Sequence, residues 1–371
     1  MRLDRLELIN YRNYDRTIFD FSPQLNLIIG GNAQGKTNVL EAVYFLSAGN
    51  SHRISSASQL IKQGEMSSAI RSKITKDNGP ITLEVMLSPS EKKRVKVGGV
   101  EKRRFSDLLG HLHAVIFSPE DLQLVKGGPE RRRSFLDDTV VQIYPPHDYW
   151  RRRYERVLRQ RNILLKSRSQ GVDDGSLELW DKNLVEAGTK LVVGRLTVLN
   201  KLDKFATQAH LQITNQTETL RIDYLSRVTS GGVEGPREIG GKFHKELVKR
   251  RKDELDRKIT LVGPHRDDLT LTVNGADVRL YGSQGQQRTV ALALKLGQFR
   301  LIEEEVKERP LLLLDDVMSE LDDERRSFLV ETIRSGTQVF ITATTRDSIA
   351  DQHIGDCKVI RIKDGKLIDE G

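Results

Sequence analysis

The sequence predicts an α/β head interrupted by an inserted, mainly helical lobe, and three observations lead there. An apolar, strand-like stretch from Leu25 to Ile29 runs through a glycine-rich turn into helical spacing at Val39, Leu40, Val43, Phe45 and Leu46. Near the other end, apolar strands at Leu311 to Leu314 and Gln338 to Ile341 flank a helical stretch. Between these two α/β ends the pattern becomes helical and basic.

Taken in order, the chain alternates like a strand around Leu6-Glu7-Leu8 before the strand, turn and helix at 25 to 46. Gly98-Gly99 and Asn274-Gly275, residues that tolerate positive φ, predict two hairpins. Tyr144-Pro145-Pro146 should stop any regular element. A helix is predicted from His147 to Ser167, then a polar turn around Val172 to Gly175. In the longer helix that follows, Leu177, Trp180, Leu184, Ala187, Leu191, Gly194 and Val198 recur at spacings of three and four. That pattern fits a short antiparallel coiled-coil arm or an amphipathic helix packed on a core. The Gly-rich stretch at 230 to 241 reads as a turn before a charged helix ending near Lys258. The expected organisation is therefore a head made of 1–144 and 259–371, with 145–258 inserted as a helical lobe.

A chain of 371 residues can bury a sizeable core and hold two domains. With no run of about 18 apolar residues, no spanning helix is available. The start, with its acids and alternating pattern, does not read as a signal peptide, and a cytoplasmic location is expected. Cys357 is the lone cysteine, so no internal disulfide can form. The formal net charge is +8, and all of it lies in the middle: 145 to 258 carries 24 Lys and Arg against 16 Asp and Glu, leaving 36 of each elsewhere. Such a segment suits a polyanion or a solvated helix surface.

The chemistry starts at "GGNAQGKTN", residues Gly30, Gly31, Asn32, Ala33, Gln34, Gly35, Lys36, Thr37 and Asn38, which fits G-x-x-x-x-G-K-[ST] between a strand and a helix. Backbone N–H groups there cradle phosphates, Lys36 reaches the terminal phosphates and the Thr37 hydroxyl ligates Mg²⁺. The second metal carboxylate belongs at the end of a buried strand, where four Leu residues precede Asp315. Its neighbour Asp316 could polarise the attacking water. A second anion site is suggested by Ser283-Gln284-Gly285-Gln286, a polar loop opening an apolar helix.

A GTPase reading draws on "NKLD" (Asn200 to Asp203) and "DLLG" (Asp107 to Gly110), but Asn200 lies in the helical run and Asp107 follows a basic stretch where a strand is needed. A P-loop kinase acting on a small acceptor without DNA, and a motor or transporter subunit, are the other readings. The Ser-x-Gly-Gln loop, one strand before Asp315, resembles that of the ABC-type ATPases of the SMC group. The likeness narrows to the RecF family of bacterial recombination mediators. It is carried by "NYRNY", the P-loop stretch, "SHR" at Ser51 to Arg53, "FSPEDLQLVKGGPERRRSFLD", "GPHRDDL" at Gly263 to Leu269, "YGSQGQQRT" and "LLLLDDVMSELDDERR".

What this resemblance implies is an ABC-type P-loop head that binds ATP and Mg²⁺, dimerises on ATP and hydrolyses it weakly. Its Ser283 to Gln286 loop would close on the nucleotide of a second copy, with Ser319 and Asp322 crossing the dimer seam. Partners implied are double-stranded and gapped DNA, RecR, RecO and the RecA pathway, in DNA repair, replication restart and the SOS response. Arg12 and Asn13 resemble nucleotide-side residues of the family. Glu120, Asp121 or Gln123 stand where the Q-loop residue belongs. Asp316 in place of Glu, and Thr342 in place of His, suggest slow turnover. For DNA contact the sequence offers Arg152, Arg156 and Arg159, one turn apart, and the run Lys249, Arg250, Arg251 and Lys252. Arg131 to Arg133 suit either a grip on DNA or pairing with acids in a core, and the apolar run beside them favours the latter.

Overall fold

The computed structural model describes residues 1–54, 56–89, 93–167, 174–230, 234–318, 322–334, 336–345 and 357–368. Along the chain the strands are β1 (Arg2–Tyr11), β2 (Tyr14–Asp20), β3 (Leu25–Ile29), β4 (Ser68–Lys76), β5 (Gly79–Leu87), β6 (Arg94–Val97), β7 (Val100–Lys102), β8 (Ala114–Phe117), β9 (Leu220–Leu225), β10 (Asp268–Val273), β11 (Ala276–Asp277), β12 (Leu311–Asp315), β13 (Val339–Ala343), β14 (Cys357–Lys363) and β15 (Lys366–Ile368). The helices are α1 (Lys36–Ala48), α2 (Gln123–Lys126), α3 (Pro129–Ile143), α4 (Pro146–Ser167), α5 (Asp174–Ile213), α6 (Pro236–Arg257), α7 (Val278–Tyr281), α8 (Gln284–Val306) and α9 (Asp323–Arg334).

The chain divides into two compact units. The first comprises Met1–Asp121, Gln212–Asn215 and Leu292–Gly371; the second comprises Leu122–Leu211 and Gln216–Ala291. In the first, a parallel sheet extended by one antiparallel edge strand runs β15-β14-β3-β13-β12-β8, and an antiparallel sheet runs β2-β1-β4-β5-β6-β7. One core joins them: Leu6, Leu8, Ile70, Leu83 and Val85 from the antiparallel sheet meet Ile28, Leu311, Leu313 and Phe340 from the parallel one, with Val39, Val43 and Leu46 of α1 between. All of β3, β12 and β13 is buried, as expected of strands covered on both faces.

In the second unit, α4, α5 and α6 share a core of Tyr154, Val157, Leu184, Ala187, Leu191, Leu196, Ile239, Phe243 and Leu247. The spacing of three and four along α5 thus belongs to a helix packed on a core. A three-stranded sheet, β11-β10-β9, completes the unit.

Both hairpins form, with Gly98 and Gly99 at φ 59 and 80 and Asn274 and Gly275 at φ 50 and 83. Two boundaries differ from expectation. Pro146 opens α4 instead of ending an element, since a first-turn proline has no N–H to waste. Gly240 and Gly241 lie inside α6, not in a turn, because a Cβ on Gly240 would come within 3.3 Å of Thr189 Oγ1 on α5. The inserted unit is also wider than 145–258. It takes in α3, β10 and the segment to Ala291; buried ion pairs join Arg195 of α5 to both oxygens of Asp137 on α3 at 2.7 and 2.8 Å, and Arg132 of α3 to both oxygens of Asp268 on β10 at 2.7 and 2.9 Å. The Ser283 to Gln286 loop therefore belongs to the second unit.

Candidate nucleotide site and signature loop

Parallel pairing of β3 with β13, and of β13 with β12, brings the ends of three strands to one sheet edge, with Ile28 opposite Thr342 and Thr342 opposite Asp315. Here the sequence-predicted P-loop and metal residues meet. Lys36 Nζ donates to the Gly30 and Gly31 carbonyls at 2.9 and 3.0 Å, curling the loop around itself. The Thr37 and Thr342 hydroxyls both donate to Asp315 Oδ1, at 2.9 and 2.8 Å. Thr342 Oγ1 in turn accepts the backbone N–H of Asp316 at 2.9 Å. Asp316 adopts φ 52, a left-handed conformation that a non-glycine residue keeps only where its surroundings insist.

Burial pushes the Asp315 carboxyl above its ordinary pKa, and the neighbouring charges of Asp316 and Glu120 add to the push. A desolvated carboxylate beside a threonine hydroxyl suits a divalent cation, which would offset that cost with hard oxygen ligands. Mg²⁺ shared between Thr37, Asp315 and phosphate oxygens would need no larger cluster, and no group of three or more His, Cys, Asp or Glu arranged for a metal occurs among the described residues.

The loop is held from behind by residues that sequence reasoning saw only in part. Asn13 Nδ2 donates to the Gln34 carbonyl at 2.8 Å and Tyr14 donates to the Gly35 carbonyl at 2.9 Å. Asn38 Nδ2 donates to Asn13 Oδ1 at 2.8 Å, which closes the ring. Gly35 is required there: its φ is 115, and a Cβ would meet Asn13 Nδ2 at 2.7 Å. From the far end of the chain, the N–H of Asp364 donates to Gln34 Oε1 at 2.5 Å. Arg12 has its guanidinium engaged with Glu41 at 2.8 and 2.7 Å and with the Gln59 carbonyl at 3.1 Å, so it braces α1. Glu41, fully buried, also accepts from Ser51 at 2.5 Å, and Arg53 Nη1 donates to Asn38 Oδ1 at 3.3 Å. Tyr14, Glu41, Ser51 and Arg53 escaped the sequence reading as site residues. The "SHR" stretch held two of them, but nothing in its spacing points to Glu41.

Among the Q-loop candidates, Glu120 is exposed and contributes to the field at Asp315, whereas Asp121 is spent on Lys295 at 3.0 Å and on the Ser118 N–H at 2.9 Å. Gln123 is exposed in the second unit. In that unit the Ser283 N–H donates to Gln286 Oε1 at 2.9 Å, and the Gln286 N–H to Ser283 Oγ at 3.2 Å, a reciprocal cap that fixes the start of α8. Gln286 Nε2 donates to Glu218 at 2.8 Å, while Ser283 and Gln284 stay exposed. Asp322 caps α9 by accepting the Arg325 N–H at 3.0 Å; Ser319 lies outside the described residues.

The basic candidates divide sharply. Arg152 donates to the buried Asp148 at 2.6 Å, whereas Arg156 and Arg159 are exposed on α4 with no ion pair among the described residues. Lys249 pairs with Glu246 at 3.5 Å and Arg250 with Asp253 at 3.0 Å. Arg251 turns inward to Asp181 and is no surface contact; Lys252 is exposed. Of Arg131 to Arg133, Arg132 is the one that forms an ion pair among the described residues, with Asp268.

The family model for the RecF/RecN/SMC N-terminal domain matches residues 2–361. The chain is 41% identical over 372 residues to the DNA replication and repair protein RecF of Bacillus pumilus (strain SAFR-032), covering all of both chains. It is 42% identical over 371 residues to that of Bacillus subtilis (strain 168), covering 99% of this chain and all of the relative. The chain belongs to the RecF family. A solved structure of the recombination mediator protein RecF with ATP, from the RecFOR pathway, superposes with a TM-score of 0.91 at 37% identity, covering 100% of this chain and 97% of that one. The head domain of a Pyrococcus furiosus Smc protein, at TM-score 0.53 and 15% identity over 99% of this chain and 95% of that one, shares the fold, that of an ABC-type ATPase head. No helix among the described residues is long and apolar enough to cross a membrane.

Proposed function

We propose that this RecF-family chain is an ATP-gated, dimeric DNA-binding protein that serves recombinational repair and replication restart. The observation that carries the reading is the Lys36, Thr37 and Asp315 arrangement at one sheet edge, in a chain alike over its full length to a relative solved with ATP. Gly30 to Gly35 would present N–H groups to the triphosphate, and Lys36 would leave the Gly30 and Gly31 carbonyls for the terminal phosphates. Mg²⁺, held by Thr37 and Asp315, would supply charge neutralisation there.

Asp316 would orient and deprotonate water. As an aspartate it reaches less far than a glutamate, and Thr342 offers a hydroxyl where an imidazole could have moved a proton, so turnover should be slow. Ser283 to Gln286 would close on the nucleotide of a second copy, with the seam at Ser319 and Asp322, and hydrolysis would release the pair. RecR, RecO, gapped duplex DNA and recombinase loading follow from the family, as does a cytoplasmic place of work.

Sedimentation with and without ATP tests this. Lys36→Met should abolish both ATP binding and the dimer, while Ser283→Arg should bind ATP and stay monomeric. A Ser283→Arg chain that dimerises normally on ATP would sink the in-trans role of the loop.

A further inference from the structure

The "GPHRDDL" stretch is used by none of the chemistry above, yet it is among the most constrained loops of the second unit. Gly263 sits at φ 127, and a Cβ there would fall 2.4 Å from the Tyr154 hydroxyl and 2.7 Å from the Phe243 ring. His265 is clamped on both nitrogens: Nε2 lies 3.2 Å from the Thr260 carbonyl and so must donate, which leaves Nδ1 to accept from the Tyr154 hydroxyl at 2.7 Å. That tautomer is the neutral ring.

Around this fixed imidazole stand two guanidiniums that no salt bridge among the described residues engages. Arg133, half-buried at the start of α3, donates from Nη1 to the Asp267 carbonyl at 2.7 Å. Arg266, exposed, donates to the Thr260 carbonyl at 3.1 Å and takes its own backbone N–H to Gly263 at 2.8 Å. Neither is in an ion pair among the described residues. Of the acids that act on Arg133, Asp268 is paired with Arg132, Asp267 accepts from the Tyr224 hydroxyl at 2.7 Å, and Glu130 stabilises the cation without a salt bridge to it. Burial, with the repulsion of Arg195 next, lowers the Arg133 pKa despite those acids. Burial also pushes His265 down to about 4, and Arg266 and Arg133 are the first of the neighbouring charges that push the same way. A half-buried guanidinium with no salt-bridge partner is incompletely compensated, and an arriving anion would offset that cost.

We propose that Arg133 and Arg266, held by the Gly263 to Asp268 loop, form a phosphate-binding site of the second unit. Planar guanidiniums that keep free N–H groups match a phosphate oxygen pair. The phosphate could come from a DNA strand or from the tail of a nucleotide held by a second copy, and both sources rest on the function proposed above.

Arg133→Gln, Arg266→Gln and the double variant test it in the full chain, with ATP-dependent sedimentation and with duplex binding titrated against salt. If DNA supplies the phosphate, the double variant dimerises on ATP as before but binds duplex about 10-fold or more weakly, with the salt slope reduced by roughly two units. If nucleotide supplies it, ATP-dependent dimerisation weakens by a similar factor without DNA present. Unchanged dimerisation together with unchanged DNA binding overturns the site and leaves the functional reading intact. A native chain that neither dimerises on ATP nor binds DNA overturns the functional reading and this site with it. Should the glutamine variants melt early, Arg133→Lys and Arg266→Lys keep the charge while losing the planar fork, and intermediate losses are expected from them; native behaviour in all of them overturns the site.

Discussion

The two units treat charge in opposite ways. In the first, the charges at the nucleotide site are left poised: Lys36 rests on two carbonyls, and Asp315 is desolvated, accepting from two hydroxyls. In the second, the buried arginines are consumed internally. Arg161, wholly buried, meets Asp181 and Glu254 at 2.6 Å each and Thr260 at 2.8 Å. Arg195 meets Asp137, the Pro264 carbonyl and Tyr224. The lesson is that a basic composition measures the architecture of the second unit at least as much as its appetite for a polyanion.

The comparison breaks most visibly at Arg161. Removing one partner of a buried network strands the others, so Arg161→Ala should cost about 3–5 kcal/mol. Chemical denaturation of the variant would show it, and a loss near zero would mean that Asp181 and Glu254 are solvated after all. Arg161→Met, which keeps the stem's packing, should recover part of the loss.

Acid should expose a cost in the first unit. His113 is buried, and burial lowers its pKa from 6.5 to about 4. The folded state therefore refuses a proton that the unfolded chain accepts. Stability is full above pH 6.5 and falls as pH drops toward 4, by up to about 3 kcal/mol for this residue alone. Melting curves across that window should be shallower for His113→Phe than for the native chain. His52 and His265, lowered in the same sense, keep part of the slope in the variant.

A smaller effect, of opposite sign, belongs to the poised carboxylate. Asp315→Asn keeps an oxygen for Thr37 and Thr342 to donate to while removing a desolvated charge. Without nucleotide it should melt higher, by roughly 1–2 kcal/mol. The same variant should lose the additional stabilisation that Mg²⁺ with ATP gives the native chain, since a ligand stabilises only the form that binds it. A lower melting point without ligand would mean that Asp315 is not under strain from burial.

How far the sequence could be read follows from how local each signal is. The P-loop strand, turn and helix, both hairpins and the Asp315 strand were legible because their residues are adjacent and their pattern is dictated by backbone geometry. The brace of Arg12 on Glu41 was not, since the partners are 29 positions apart and an arginine beside a P-loop reads as a nucleotide ligand. The second compact unit runs wider than the stretch marked by composition for a related reason: composition changes at Pro145, whereas Asp137 meets Arg195 and Arg132 meets Asp268 across long sequence separations. Gln34 meets Asp364 across 330 positions, a contact no spacing could announce.

The same distinction between spent and available charge separates the DNA candidates, and here the expected change in stability is smallest. Arg156 and Arg159 are exposed and hold no acid among the described residues, so Arg156→Gln with Arg159→Gln should leave melting within about 0.5 kcal/mol of native. If α4 faces DNA, that pair should flatten the salt dependence of duplex binding by about two units. Arg251→Gln should do the reverse, because its guanidinium turns to the buried Asp181: melting falls and the salt slope stays. Matched titrations of the two variants decide whether α4 or the inward face of α6 carries the contact. If Arg251→Gln alone changes the slope, the partition of cations drawn from this structure is wrong for α6.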